Sequence, residues 1–399
     1  MNLEISNIEE RSFQGRSSPD GKSTIAPPDL ALSWPLIVGA FVLTSVGILE
    51  IYASSSVPAL QRYGDSWSFL RKQLLAGGIG FLCIAFSHKI SLSLLKKMTL
   101  PLALVSLVML GLIFVPALQY KAGHAARWLR VFGFTFQPAE LAKLSLVLFL
   151  ARNLSRPNTN VQNVLSGVAP NFVAFGAFAM LIMPQPDFGT TVLLFSVTFL
   201  MVIAAGAKRS FILGAVSAAS LAMGTAIAVA PYRLKRFLTF MDPFSKVREG
   251  GYQIIQSYLG FQNGGTWGLG LGESRQKLYF LPEAHTDFIL AVVGEELGVF
   301  GVILVIAAFL LITNAGYTIA RKQSGQYERF LAFGLTSLIA VQGSINMGVA
   351  MGMLPTKGIP LPFVSNGPTC LLVFLVITAI LVRLGQNIGT ELKENPPAP

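Results

Sequence analysis

Carboxylates recur in residues 281–298, LPEAHTDFILAVVGEELG, where a long apolar run begins. Asp287 stands at the start of this run, and Glu295 and Glu296 follow eight and nine residues later. In a helix, these two glutamates would lie roughly 12 Å along the axis from Asp287. Placing an acidic side chain at the depth of the bilayer costs about 2.5–3.5 kcal/mol of insertion free energy. Each of these acids therefore needs a local structural or functional explanation. Because a helix N-terminus favours an ionised carboxylate, Asp287 could accept a proton from a bound substrate.

Further charged residues are predicted to gather at the same end of the helices as Asp287. Glu140 and Lys143 are three residues apart and therefore share one helix face. The other candidates are basic: Arg127, Lys357, and the group Arg233, Lys235 and Arg236. Acids and bases would then frame one cavity.

Several of these residues also have a structural interpretation. Glu140 and Lys143 could simply form an intrahelical ion pair. Asp187, in QPDFGT, fits a helix N-cap before Thr190. Arg127 beside Trp128 is typical of a membrane-interface anchor, and the 233–236 basic group could bind lipid headgroups. For Glu295 and Glu296 we favour a polar clamp to a neighbouring helix over chemistry.

Composition identifies the class of protein that must position these residues. Of 399 residues, 53% are apolar and only 12% are charged, which indicates a polytopic membrane protein. The net charge of +11 is attributed to cytoplasmic loops, and nucleic-acid binding is not expected. Two cysteines, Cys83 and Cys370, and three scattered histidines form no recognisable disulfide or metal motif.

Apolar windows predict an all-α bundle of ten transmembrane helices with one large extracytoplasmic loop. The windows are 33–53, 74–92, 98–118, 138–153, 166–184, 188–206, 210–231, 287–313, 329–351 and 364–385. Short segments on one side carry 15 Lys and Arg against 7 on the other, which predicts that both termini are cytoplasmic.

This topology divides the chain into three parts. Residues 1–32 form a cytoplasmic, disordered tail, 33–385 the membrane domain, and 386–399 a second cytoplasmic tail. The extracytoplasmic loop covers 232–286, and its Tyr252–Tyr258 stretch is predicted to form a short interfacial helix. Glycines at 264–272 argue against a separate folded domain in this loop.

A membrane cavity with one carboxylate base and several cations suits group transfer from a lipid-linked diphosphate. Cations would stabilise the departing diphosphate while the carboxylate deprotonates the attacking hydroxyl. Walker, GxGxxG and HExxH motifs are absent from the sequence. The same arrangement would also suit a transporter, and physical arguments alone do not separate the two.

Six motifs, in their order along the chain, resemble the SEDS family of FtsW, RodA and SpoVE proteins. They are AARW (125–128), QPAELAKL (137–144), QPDFGT (185–190), GYQIIQS (251–257), LPEAHTDFILAVVGEELG (281–298) and GMLPTKGIPLPFVS (352–365). The resemblance covers about residues 35–385, and PTKG at 355–358 is more similar to the FtsW branch.

The resemblance implies an inverting peptidoglycan glycosyltransferase that polymerises lipid II at the outer face of the bacterial cytoplasmic membrane during septal wall synthesis. The donor would be a glycan chain on undecaprenyl pyrophosphate. It also implies that Asp287 is catalytic and that Glu140 and Lys143 belong to the same cavity. Glu140 and Lys143 are candidate substrate-binding residues. The candidates for balancing the charge of the substrate diphosphate are Arg127, Lys143, Lys357 and the basic group Arg233, Lys235 and Arg236.

The resemblance further implies partners: a class B penicillin-binding protein, which is a monofunctional transpeptidase, other divisome proteins and membrane lipid. No cofactor is identified, although a divalent cation could neutralise the diphosphate. A lipid II flippase, served by Glu295 and Glu296, is the alternative function, and a weakly active divisome scaffold is a third.

The chain departs from the family pattern at two places. Residues 365–370 read SNGPTC where SYGGS is usual, and proline there would stiffen the start of the last helix. His124 stands where glycine is usual. These changes motivate the scaffold alternative.

Overall fold

The structure is a computed structural model. It describes residues 32–63, 65, 67–122, 125–131, 134–157, 159–229, 231–247, 251–282, 284–356 and 358–394. Helices and strands are numbered here in chain order. The helices are α1 (Trp34–Tyr63), α2 (Ser68–Ala85), α3 (Leu92–Leu112), α4 (Pro138–Leu154), α5 (Ala169–Ile182), α6 (Phe188–Ala204), α7 (Arg209–Val229), α8 (Pro231–Met241), α9 (Gly251–Gly264), α10 (Ile289–Lys322), α11 (Gln326–Ala350) and α12 (Pro368–Glu394). The strands are β1 (Gln119–Ala122), β2 (Ala125–Val131) and β3 (Phe134–Phe136).

The predicted helical membrane fold is confirmed, because a helix occupies each of the ten predicted windows. Seven helical segments in the described part of the chain are long and apolar enough to cross a membrane. Of the helices in the ten predicted windows, three lie outside that set: α4 and α6, with 17 residues each, and α7. In α4 the charges of Glu140 and Lys143 lower the mean hydropathy.

Several predicted boundaries are wrong. The first helix runs ten residues past its predicted end, and the second and third each begin six residues early. The last helix continues to Glu394. Hydropathy windows mark the apolar part of a helix, whereas backbone hydrogen bonding continues into polar flanks.

The prediction of an all-α fold missed a small antiparallel sheet between α3 and α4. Its strand order is β1-β2-β3, and Tyr120 pairs with Trp128 while Leu129 pairs with Phe136. Leu129 is buried and its neighbour Arg130 is exposed. That alternation is the period-two signal of a strand.

Close helix packing depends on small residues. A Cβ on Gly39 of α1 would lie 2.5 Å from Ile312 of α10, and one on Gly80 of α2 would lie 2.4 Å from Leu375 of α12. Small interfacial residues allow backbones to approach where lipid removes the hydrophobic drive for helix association. The bundle core lies around α4, α11 and α12, whose inward faces are almost fully buried.

Candidate active site

Asp287 lies in the turn that leads into α10, and its side chain is half-buried. Because α10 begins at Ile289, the prediction that Asp287 opens the helix is wrong by two residues. Asn346 of α11 holds this turn, since its Nδ2 donates to the Asp287 carbonyl oxygen at 3.0 Å. The same nitrogen donates to the Ile359 carbonyl at 2.8 Å. Asn346 therefore ties the Asp287 turn to the loop between α11 and α12.

Residues of the α11–α12 loop (351–367) hold the rest of the turn. Ser365 Oγ donates to the carbonyl oxygen of Thr286 and accepts from the backbone N–H of Leu361 at 2.8 Å. The backbone N–H of Asn366 donates to the His285 carbonyl at 2.9 Å. Main-chain contacts on successive residues thus fix the backbone that carries Asp287.

The chain's departure from the family pattern, at residues 365–370, lies where this loop meets α12. Proline at 368 is the first residue of α12, a position where its fixed φ and missing N–H are tolerated. The backbone N–H of Gly367 donates to Gln73 Oε1 at 3.3 Å, which links the loop to α2. His124 lies outside the described residues.

Arg127, on β2, is held by the turn between α5 and α6. Its Nε donates to the Gln185 carbonyl at 3.2 Å, and its Nη2 donates to the Pro186 carbonyl. Asp187, the residue after Pro186, caps the N-terminus of α6 as predicted. Its carboxylate accepts hydrogen bonds from the Thr190 backbone N–H at 3.1 Å and from the Thr190 hydroxyl at 2.8 Å. The turn that positions Arg127 is thereby fixed to a helix end.

Asp287 and Arg127 meet at Gly358. A Cβ placed on Gly358 would lie 3.4 Å from Asp287 Oδ2 and 3.4 Å from Arg127 Nη1. From α8, Arg236 Nη1 donates to the Thr356 carbonyl at 3.4 Å, two residues away along the same loop. A carboxylate and two guanidinium groups therefore surround one short stretch of backbone. We call Asp287, Arg127, Gly358 and Arg236 the Asp287 site.

The predicted pair of Glu140 and Lys143 is confirmed, with Nζ 2.8 Å from Oε1, and both residues are 1% exposed. Lys143 also donates to Gln342 Oε1 at 2.7 Å and lies 5.4 Å from the centre of the Phe374 ring. Gln342 in turn donates to the Pro360 carbonyl at 2.9 Å. The pair therefore contacts the α11–α12 loop through Gln342.

Two predicted site residues cannot be placed. Lys357 lies outside the described residues, and so does the side chain of Arg233, although its backbone belongs to α8. In the part of the chain that the structure describes, no group of three or more His, Cys, Asp and Glu side chains is arranged to hold a metal ion.

Glu296 lies in a different environment from Asp287, although both belong to the same stretch of chain. It is 1% exposed and forms an ion pair with Lys277, 3.0 Å away. The backbone N–H groups of Gly272 and Ser274 donate to its two oxygens at 2.8 and 3.4 Å.

Glu295 is fully buried and is bound by the same loop. It accepts from Ser274 Oγ, from the Gln276 backbone N–H at 3.1 Å and from Asn263 Nδ2 of α9 at 3.2 Å. The predicted polar clamp thus exists, but its partners come mostly from the 265–280 loop. Among the described partners, Asn263 lies on the α-helix α9, whereas Gln276 and Lys277 lie in a π-helical turn, Gln276–Phe280.

A kink in α10 explains why this loop lies against it. Gly298 has φ 65°, so the helix is interrupted and the carbonyls of Glu295 and Glu296 need other partners. The backbone N–H groups of Leu269 and Gly270 supply them, at 2.9 and 3.0 Å. The loop therefore satisfies the backbone of α10 as well as its two acidic side chains.

Sequence reasoning overlooked Gln342 and Asn346 of α11. They are four residues apart and therefore lie on one face of the helix, and both are buried. The four-residue spacing of these two polar side chains was the sequence signal that could have identified them.

Glu50 of α1 was also overlooked. It is 1% exposed, interacts electrostatically with Glu296 and Lys277, and has no hydrogen-bond partner for either oxygen among the described residues.

Comparison with known proteins identifies relatives over nearly the whole chain. The cell cycle protein family FtsW/RodA/SpoVE matches residues 34–388. The chain is 38% identical to the probable peptidoglycan glycosyltransferase FtsW of Geobacter metallireducens over 361 residues, covering 90% of this chain and 95% of that protein. It is 34% identical to the stage V sporulation protein E of Bacillus subtilis over 361 residues, covering 90% and 97%.

A solved structure has the same fold. It comes from a peptidoglycan synthase complex that coordinates polymerization and crosslinking, and it superposes with a TM-score of 0.74 at 25% identity. The superposition covers 91% of this chain and 99% of the other.

Proposed function

Because the chain belongs to the FtsW/RodA/SpoVE family of cell cycle proteins, we propose that it is a peptidoglycan glycosyltransferase that polymerises lipid II. Relatives named as probable peptidoglycan glycosyltransferases support the activity. The observation that carries the proposal is the meeting of Asp287 and Arg127 at Gly358. One carboxylate and one fixed cation are what transfer from a diphosphate donor requires.

In the proposed reaction, Asp287 accepts the proton of the sugar 4-hydroxyl of lipid II. The hydroxyl oxygen then forms a bond to C1 of the donor sugar, on the face opposite the diphosphate. The bond between C1 and the diphosphate oxygen breaks, and its electron pair leaves on undecaprenyl diphosphate. The configuration at C1 is inverted.

Arg127 and Arg236 are the described cations placed to balance the diphosphate charge. Arg127 is anchored by two carbonyls through Nε and Nη2, so that Nη1 is directed toward Gly358 without further reorganisation. Preorganised charge of this kind lowers a barrier because no dipoles must reorient during the reaction. Lys357 and Arg233 stay predictions for the same role.

Glu140 and Lys143 are proposed to support the site. Lys143 is buried and bonded to both Glu140 and Gln342, so it is not placed to contact a diphosphate. Through Gln342 it helps to position the α11–α12 loop against which Asp287 is held.

The proposed setting is the bacterial cytoplasmic membrane, with both termini in the cytoplasm and the Asp287 site outside, at the division septum. The solved relative from a synthase complex supports association with a class B penicillin-binding protein. Other divisome proteins are proposed as further partners.

The experiment is glycan polymerisation from lipid II by purified protein in vesicles, with translocation of labelled lipid II scored in parallel. Wild-type protein should form polymer, and the Asp287→Asn variant should polymerise roughly 10²–10⁴-fold more slowly, the contribution of a general base. Asp242→Asn is the matched control: Asp242 is exposed between α8 and α9, and hydrogen bonds from the side chain and backbone of Ser245 lower its pKa. Translocation without polymer by wild-type protein would instead establish the flippase alternative.

A further inference from the structure

A cavity of about 490 Å³ lies between the ends of α6, α10 and α11, away from the Asp287 site. Its lining combines two arginines with apolar and aromatic groups: Ala204, Asn314, Tyr317, Ala320, Arg321, Arg329, Phe330 and Phe333. We propose that this cavity binds one anionic phospholipid, with its phosphate between Arg321 and Arg329.

The two arginines define the charged end of the cavity. Arg321 is the second-last residue of α10 and Arg329 is in the first turn of α11, so both lie where the helices end. Both are exposed, and no carboxylate lies within ion-pairing distance of either in the described part of the chain. Guanidinium groups present forked donors that match phosphate oxygens. The sequence predicts that this end faces the cytoplasm.

The remaining lining residues suit the rest of a lipid. Ala320 and Phe333 make the wall apolar, and the Phe333 ring lies 5.5 Å from that of Tyr317. Tyr317 shares a hydrogen bond with Ser337 at 3.1 Å, which fixes its ring. Asn314 lies two helical turns from the charged end, or roughly 10 Å along the helix, where the ester groups of a phospholipid would lie.

Charge and shape together distinguish this cavity from a basic loop. Exposed lysines and arginines attract anionic lipids only weakly when they act singly near the membrane surface. A cavity with an apolar wall adds burial of acyl chain, which a free phosphate ion cannot supply. We therefore expect a retained phospholipid and no measurable binding of inorganic phosphate.

The test is native mass spectrometry of the detergent-solubilised full chain, titrated with phosphatidylglycerol, phosphatidylcholine or inorganic phosphate. One phosphatidylglycerol should remain bound, with at least tenfold preference over phosphatidylcholine. The Arg321→Gln/Arg329→Gln variant should lose about tenfold or more in affinity. The Lys97→Gln/Arg156→Gln variant, which removes two exposed charges from the same predicted side, should bind as wild type does.

A second variant separates the cavity from its charge. Ala204→Phe keeps both arginines but fills the space beside an exposed alanine, so it should also weaken phosphatidylglycerol binding. The proposal would be overturned if the Lys97→Gln/Arg156→Gln control lost as much phosphatidylglycerol affinity as the Arg321→Gln/Arg329→Gln variant. Wild-type phosphatidylglycerol affinity in Ala204→Phe would overturn it too. Displacement of the lipid by inorganic phosphate would show a simple anion site instead.

Discussion

Asp287 and the pair Glu295–Glu296 belong to one motif, yet the structure places them in opposite environments. Both glutamates are buried and accept several hydrogen bonds each, including one ion pair with Lys277. Asp287 is half-buried, and the contacts that fix its turn are made by backbone carbonyls. If Asp287 is the proposed base, one stretch of chain separates a carboxylate that does chemistry from two carboxylates that stabilise the fold.

The kink at Gly298 produces this separation. It frees the carbonyls of Glu295 and Glu296, and the 265–280 loop pairs with both these carbonyls and their side chains. Because Glu295 is fully buried and Glu296 is 1% exposed, a substrate hydroxyl has no open approach to either carboxylate. Asp287 lies two residues before the helix, and its Oδ2 approaches Gly358.

The largest stability effect is expected from Glu296→Gln. The substitution leaves Lys277 without its ion-pair partner, and breaking a buried pair costs about 3–5 kcal/mol. Thermal unfolding in detergent should therefore shift clearly downward, while polymerisation per folded molecule is largely retained. Glu273→Gln, in the same loop but exposed, should unfold at the wild-type temperature. An unchanged midpoint for Glu296→Gln would show that the loop contacts do not stabilise the fold.

A smaller effect is expected from Asn346→Ala, which removes the donor to Asp287 and Ile359. The turn that carries Asp287 then gains freedom, and we expect polymerisation to slow about tenfold through loss of positioning. Ser344→Ala, on the exposed face of α11, is the control. Recovery of the rate by Asn346→Gln, through a restored amide donor, would support positioning. A wild-type rate in Asn346→Ala would remove Asn346 from the account.

The smallest effect is expected from Gly358→Ala. The added methyl group would lie in ordinary contact with Asp287 and Arg127, 3.4 Å from each, so the fold should be preserved. Because the methyl occupies space between the two side chains, initial polymerisation rates should fall several-fold. Gly367→Ala meets the Cys370 Cβ at the same 3.4 Å and serves as the matched control. Equal rates in both variants would argue that substrate does not approach Gly358.

Most of the helical fold could be predicted, because a helix that crosses the lipid bilayer needs a long run of apolar residues. The β1–β3 sheet was missed, since its period-two signal is short and lies in a loop. Asp287, Glu140 and Lys143 stood out as charges in apolar segments. The roles of Gln342 and Asn346 depend on contacts across the bundle with Pro360 and Ile359, which no local pattern contains. The kink at Gly298 was likewise not predicted, because the glycine lies inside a run long enough to be read as one helix.

The most direct test of the account measures polymerisation and thermal unfolding on the same preparations of Asp287→Asn and Glu296→Gln. Asp287→Asn should unfold at the wild-type temperature and lose roughly 10²–10⁴-fold in polymerisation rate, the contribution of a general base. Glu296→Gln should unfold at a clearly lower temperature than wild type and largely retain its polymerisation rate per folded molecule. Polymerisation by a well-folded Asp287→Asn at the wild-type rate would contradict the account.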